Sequence, residues 1–283
     1  DFVKPKLDFR FDLSSSFQLR MSAEKDVSQL SFRDFSAGVN QQDDDQDTIA
    51  GNPELEQEEV WRYNINLDYR LPNDGGVLNS RFFYYDVGKS IGKVDVTTDP
   101  DNLISANGNV GDGKIFGIYL NASIRLGFLK LPQAVFTARL NLEDAYIYDP
   151  LIEKKRTIVP FDRGAYIFGF RQDIPSQNLS FGLDYQDGIG NMGGTGGNRV
   201  QYDIDNVRFF RAGKVRPNFA LYAEKTGVGN FTYRAEINNA LDKDRCFERK
   251  RYNGYYRDGD LSEVETSCAS TGAQFVLKVR STF

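Results

Sequence analysis

The chain has 283 residues, a formal charge of −5, a mean hydropathy of −0.50 and no histidine. Without histidine, a Ser-His-Asp triad, a Cys-His dyad, an HExxH zinc site and proximal-histidine haem ligation are excluded, and two cysteines are too few for a thiolate cluster. The mild acidity gives no electrostatic footprint for nucleic acid, and no apolar run reaches the roughly 18–20 residues of a membrane-spanning helix. The chain carries 22 Phe and 15 Tyr beside two Met. Tyr and Phe form strands and sit well at a membrane interface, so the pattern to look for has period two.

The first segment shows that period. Over residues 2–13, Val3, Pro5, Leu7, Phe9, Phe11 and Leu13 occupy one face, and Lys4, Lys6, Asp8, Arg10 and Asp12 the other. A helix would group positions i, i+3 and i+4 instead. Beyond Ser14-Ser15-Ser16, Phe17, Leu19, Met21 and Ala23 oppose Gln18, Arg20, Ser22 and Glu24. Over residues 60–71, Trp61, Tyr63, Ile65, Leu67, Tyr69 and Leu71 oppose Arg62, Asn64, Asn66, Asp68 and Arg70. The alternation is weaker at 77–87 and returns at 115–126 and 134–147. Segments 165–173 and 179–186 read as a hairpin around Ile174-Pro175-Ser176-Gln177, followed by strands at 218–226, 230–239 and the C-terminal end.

These are eleven strands of about 9–12 residues, the length of a tilted crossing of a bilayer. Soluble sandwich strands average only about 5–6 residues, and a solenoid would need a fixed repeat that is not visible. The polar faces are rich in Arg, Asp, Glu and Lys, as in a hydrated lumen. The expected fold is therefore all-β, an antiparallel transmembrane β-barrel. An open sheet cannot satisfy its backbone in lipid, so eleven strands imply a larger closed structure.

The connections alternate in length. Short ones are Ser14–Ser16, Pro72–Gly76, residues 127–133, Ile174–Asn178 and Gly227–Gly229. Long ones are 26–59, 87–114, 148–164, 187–217 and 240–272. Outer-membrane barrels have short periplasmic turns and long extracellular loops, so the long loops are expected outside and the C-terminus in the periplasm. Counting back, an odd strand number starts the chain outside, whereas a self-contained bacterial barrel has an even number. Strands preceding Asp1 are therefore expected, as is a leader, since the sequence has neither an initiator Met nor a signal peptide. Residues 199–211 offer another strand but alternate poorly, and are assigned to a long outer loop, where they could extend a strand beyond the membrane.

Two motifs carry a resemblance. Gly51-Asn52-Pro53-Glu54-Leu55-Glu56-Gln57-Glu58 stands just before a strand. It resembles the Gly-Asn-Pro-x-Leu-x-x-Glu signature in the barrel of TonB-dependent outer-membrane receptors, in which Asn-Pro turns, Leu anchors and the acidic residue precedes the strand. Glu236-Ile237-Asn238-Asn239-Ala240-Leu241-Asp242 resembles that family's penultimate strand, and Ser281-Thr282-Phe283 its terminal aromatic assembly signal. Phe170-Arg171-Gln172-Asp173-Ile174-Pro175 is similar to one branch of the family.

The resemblance implies that residues 1–283 are the C-terminal half of a 22-stranded barrel. It lacks the plug domain and the TonB box. The implied partners are an N-terminal barrel half with a plug, on a separate chain or a missing segment, TonB acting through that plug, outer-membrane lipid and the barrel assembly machinery. The implied function is uptake of a scarce nutrient (siderophore, vitamin, sugar or peptide) without covalent chemistry and without a cofactor. The rival functions are a passive porin that completes itself by oligomerising, a barrel anchor of a surface complex and an outer-membrane enzyme. The last is disfavoured by the missing histidine and the absence of paired carboxylates.

Several residues are candidates for the function. Cys246 and Cys268 both fall in the last outer loop, where a disulfide would close about 23 residues and stabilise by roughly 3 kcal/mol. Arg33 and the run containing Tyr252, Tyr255, Tyr256 and Arg257 are ligand-binding candidates, since exposed aromatics and Arg suit recognition surfaces; packing of that loop on its neighbours is the alternative. Asp43-Asp44-Asp45-Gln46-Asp47 lacks the spacing of a Ca²⁺ loop and reads as a solvated acidic tip. Gly188-Ile189-Gly190-Asn191-Met192-Gly193 matches GxGxxG but leads into no amphipathic helix, so no dinucleotide site is expected. No metal site is expected. The inward charges Lys4, Lys6, Asp8, Arg10, Arg20, Glu24, Arg62, Asp68, Arg70, Arg139, Glu143, Arg234 and Glu236 are assigned to plug contact or the transport path, against a generic hydrated wall of mutual ion pairs.

Overall fold

The alternating segments pair into one continuous antiparallel sheet. The computed structural model describes residues 2–30, 38–39, 48–158, 164–189, 198–211 and 217–281. Arg33, the acidic run 43–47, most of the glycine run 188–193 and Phe283 lie outside the described residues.

In chain order the strands are β1 (Lys6–Asp12), β2 (Phe17–Val27), β3 (Gly38–Val39), β4 (Thr48–Ala50), β5 (Glu59–Leu71), β6 (Gly76–Asp95), β7 (Ser105–Arg125), β8 (Ala134–Asp149), β9 (Lys154–Arg156), β10 (Gly164–Ile174), β11 (Leu179–Ile189), β12 (Asn198–Tyr202), β13 (Asn206–Arg211), β14 (Asn218–Val228), β15 (Phe231–Asn238), β16 (Arg245–Tyr252), β17 (Leu261–Ala269) and β18 (Gln274–Ser281). Eleven of them form the wall in the order β1-β2-β5-β6-β7-β8-β10-β11-β14-β15-β18. These are the eleven segments that alternate in the sequence. Among the described residues, β1 and β18 each have a strand neighbour on one side only.

Period two makes the register decisive, because one side-chain row crosses every strand on the same face. Phe9, Met21, Ile65, Phe82, Ile118 and Leu142 form one apolar row from β1 to β8. Large side chains on this face remain exposed, with Ile65 at 45% and Phe82 at 42% of their full accessibility. Exposure of this kind is unfavourable in water and favourable in hydrocarbon. Aromatic pairs mark two levels of the same face. Trp61–Tyr63, Tyr63–Tyr84 and Phe116–Tyr146 lie towards the long-loop end; Phe17–Tyr69 and Phe136–Phe168 lie towards the short-turn end.

The short connections are tight. Three contain single 3-10 turns at Pro72–Asp74, Gly127–Leu129 and Pro175–Gln177, and Lys130 and Asn178 close two of these in the left-handed conformation.

At the opposite end the structure departs from the sequence expectation. The connection assigned to 87–114 is mostly strand, since β6 runs on to Asp95 and β7 starts at Ser105. Its glycines hid the period. A side chain at Gly108 would stand 2.4 Å from Val94 Cγ2, and one at Gly113 would stand 2.6 Å from Ile158 Cδ1. These glycines make room for apolar residues that fold over the inner face. Val60, Phe83, Val87, Val110, Ile115, Ala145, Ile147 and Ile158 form a buried cluster there.

The segment 199–211 is not a wall strand. It makes the hairpin β12–β13, which joins β16–β17 in a separate four-stranded antiparallel sheet beyond the wall.

Candidate functional site

Away from the apolar cluster near the loop end, the inner face of the wall is polar and charged. One row across β1–β8 reads Arg10, Arg20, Asn66, Arg81, Tyr119, Asn141. The next reads Asp12, Gln18, Asp68, Asn79, Asn121, Arg139. Register places Lys6, Asp8, Glu24, Arg62, Arg70, Glu143, Arg234 and Glu236 on the same face, and Lys4 joins them just before β1.

Many of these charges pair within the wall. Lys6 meets Glu24 at 3.0 Å, Arg62 meets Asp26 at 3.2 Å, and Lys4 reaches Asp26 at 3.5 Å and donates to the Val27 carbonyl at 3.0 Å. Arg20 stands 4.0 Å from Asp8, and Arg10 3.4 Å from Asp12. On the far side Arg234 bridges Glu224 and Glu236, and Lys278 meets Glu236 at 2.8 Å. Tyr119 donates to Glu143 at 2.6 Å, and Asn79 donates to Asp68 at 2.5 Å. Asp26, Arg81, Glu224 and Lys278 belong to this face and were not singled out from sequence. Arg81 escaped because its segment carries aromatics on both faces, which blurs the alternation.

The Gly-Asn-Pro segment is a clasp. The Asn52 side chain accepts from Glu54 N at 3.0 Å, making the turn, and donates to the Asn107 carbonyl at 3.0 Å. Asn109 of β7 receives Glu56 N at 2.8 Å and donates to the carbonyls of Glu56 and Lys89. Leu55 is buried, and Lys89 pairs with Glu56. The motif thus fastens the connection before β5 to the β6–β7 extension. Asn239 performs a similar task at the neck of the last long connection. It is buried at positive φ, donates to the carbonyls of Lys243 and Gly272, and accepts from Lys243 N.

Four connections meet at the loop end. Leu151, Ile152 and Ile204 form a small buried cluster, with Leu103, Tyr202, Tyr255 and Tyr256 packed against it. Asp149 and Arg156 form a buried ion pair beside it, with 1% and 8% of their side chains exposed. Asp149 also accepts from Leu151 N at 2.8 Å, and Arg156 lies over the Tyr202 ring. Burial pushes the Tyr202 and Tyr256 hydroxyls up from their ordinary pKa.

Tyr252, Tyr255, Tyr256 and Arg257 are all half-buried in this assembly. Tyr252 and Tyr256 meet edge to face at 4.8 Å, and Arg257 lies over Tyr255 and 3.4 Å from Glu153. Burial opposes ionisation of nearby Asp95, but Thr97, the Tyr255 hydroxyl and Arg257 together hold its carboxyl below the usual value. Packing on neighbouring loops is therefore what the geometry gives this run.

Cys246 and Cys268 face each other across β16–β17 and are joined by a disulfide, with their Cα atoms 4.1 Å apart. Among the described residues, no group of three or more His, Cys, Asp and Glu is arranged to hold a metal ion.

The sequence model of the family described as TonB dependent receptor-like, beta-barrel matches residues 1–261. No curated protein matches the chain by sequence. Among solved structures, the copper transporter OprC is similar with a TM-score of 0.61 and 16% identity, over 98% of this chain and 38% of its own. A mutant of the ferric enterobactin receptor PfeA from Pseudomonas aeruginosa gives 0.61 at 12% identity, over 99% of this chain and 40% of its own. The FrpB iron transporter from Neisseria meningitidis gives 0.61 at 14%, over 98% and 39%. At these identities the likeness is one of fold, and the chain spans about two-fifths of the length of each.

Proposed function

This chain belongs to the TonB-dependent receptor-like β-barrel family, and on that premise we propose that it is one part of the wall of an outer-membrane transporter that takes up a scarce nutrient. The observation that carries this is the sheet itself: eleven antiparallel strands with an apolar face outward, a charged face inward and both edge strands open to further pairing. Strands supplied by the rest of the receptor, on the same polypeptide or a second one, complete the barrel on β1 and β18. The short turns face the periplasm, and the four-stranded sheet and its aromatic cluster face outward, where a ligand arrives.

The inner face then borders a plug domain, which TonB rearranges to open a path. Outer-membrane lipid covers the apolar face. The inner charges already named are the plug-facing surface; the Tyr252–Arg257 run, packed on its neighbours, shapes the loop end that a ligand meets, and Arg33 stays a candidate from sequence only. The ligand class stays broad: siderophore, vitamin, sugar or peptide. Two of the similar solved structures are an iron and a copper transporter and one is a ferric enterobactin receptor, which favours a metal-bearing cargo.

The test is native mass measurement of the protein extracted from outer membranes in mild detergent. The expected species is a barrel far heavier than 32.1 kDa that contains a plug-bearing region. A closed monomer of this chain, or a homo-oligomer without a plug, would overturn the proposal.

A further inference from the structure

Several inner-face arginines, Arg70, Arg81, Arg125, Arg139 and Arg280, have no carboxylate partner among the described residues, and two of them share one basin. Lys4, Lys6, Arg10, Arg20, Arg62, Arg234 and Lys278 each have a carboxylate partner within 4.0 Å in the wall. Among the described residues, Arg81 and Arg139 form no such ion pair. They stand on adjacent rows, on β6 and β8, and border one open basin of about 420 Å³ in the middle of the wall. Its remaining lining is mostly carboxamide, including Asn66 and Asn121.

Arg81 sits over two aromatic rings. Its guanidinium lies 4.4 Å from the centroid of the Tyr119 ring and 5.4 Å from that of Phe83. A cation–π contact of this kind holds the guanidinium in place without a carboxylate partner. Its Nε is shielded from solvent and has no hydrogen-bond partner, so the donors it can offer to an incoming group are those on its Nη atoms. The contact depends on Gly117, where a Cβ would stand 2.7 Å from Phe83 Cζ. Arg139 uses its Nε on the Asn121 carboxamide oxygen at 3.1 Å. The one carboxylate bordering the basin, Asp68, already receives Asn79. The basin thus holds two guanidiniums against Asp68, engaged by Asn79, with Glu143 behind it engaged by Tyr119 and near Arg81, and amide donors around them.

We infer that this basin is a carboxylate-binding site in the lumen, with Arg81 as the planar fork and Arg139 as the second cation. The inference deepens the proposed function and rests on it. A guanidinium matches a carboxylate in two parallel bonds, and the volume suits a small carboxylic acid. The same chemistry is offered by a carboxylate-bearing solute in the lumen and by an Asp or Glu side chain of the plug.

The test uses the complete receptor, wild type and with Arg81→Gln, Arg139→Gln and Arg81→Lys. Citrate binding is measured by titration calorimetry, and plug release is followed by limited proteolysis in urea. Citrate binding weakened about tenfold or more by either Gln variant, with plug release unchanged, assigns the site to a solute. Plug release at lower urea in both Gln variants, with no citrate binding to any form, assigns it to a plug carboxylate. In either case Arg81→Lys retains only part of the effect, because it keeps the charge and loses the fork. No citrate binding together with unchanged plug release overturns the inference, as does equal binding of sulfate and citrate. A preparation that contains no plug sinks the receptor reading, and the citrate arm still tests the basin.

Discussion

The wall and the outer sheet are both antiparallel, yet different forces hold them. On the wall, large apolar side chains stay exposed on one face and charges pair in plane on the other, away from the apolar cluster near its loop end. The four-stranded sheet is fastened by a disulfide and rests on a small cluster drawn from four connections, beside the buried Asp149–Arg156 pair at the ends of β8 and β9. The two regions should therefore respond to different perturbations.

The sharpest contrast comes from Asp149→Ala. It leaves Arg156 buried without its partner and is expected to cost about 3–5 kcal/mol. Hydrogen exchange should show the loss confined to residues 149–158 and 202–206, with β5–β8 unchanged below Val87. Next comes Leu120→Arg, which puts a charge on the hydrocarbon-facing side and is expected to cost about 2–4 kcal/mol in refolding from urea into bilayers. Asn121→Arg, one residue away on the wet face, should cost far less. Equal losses in the two variants would contradict the face assignment.

Replacing Cys246 and Cys268 together by serine should destabilise only the outer sheet, by up to about 3 kcal/mol, read as faster proteolysis between β16 and β17. Asn239→Ala removes the neck hydrogen bonds and should cost about 1–3 kcal/mol, read as faster amide exchange at residues 240–244.

The smallest effect is that of pH on the tether between Asp95 and the Tyr255–Arg257 run. The folded pKa of Asp95 lies below its ordinary value of 3.8. Its contribution is therefore complete above that value and is lost as pH falls through the folded pKa. Proteolysis of the run should speed up only in that acid window.

The same contrast explains what could be read in advance. Wall strands such as β5 announce themselves because each residue meets one of two bulk environments, so alternation alone encodes Trp61, Tyr63 and Ile65 outward and Arg62 and Asn64 inward. The clasp was legible as a motif, though its partner Asn109 was not, because that residue sits among the glycines of β7. The outer sheet was hidden for a different reason. Leu103, Leu151, Ile204 and Tyr256 come from four separate connections and acquire meaning only when these meet. Arg81 was missed because Phe82, Phe83, Tyr84 and Tyr85 put aromatics on both faces of β6.

The face assignment can be tested directly by single cysteines along β7, at residues 118–123, each labelled in native membranes with a water-soluble and a membrane-soluble maleimide. Ile118, Leu120 and Ala122 should react only with the membrane-soluble reagent, and Tyr119, Asn121 and Ser123 with the water-soluble one. Uniform labelling along the strand, or the opposite alternation, would contradict the assignment of this sheet as a barrel wall.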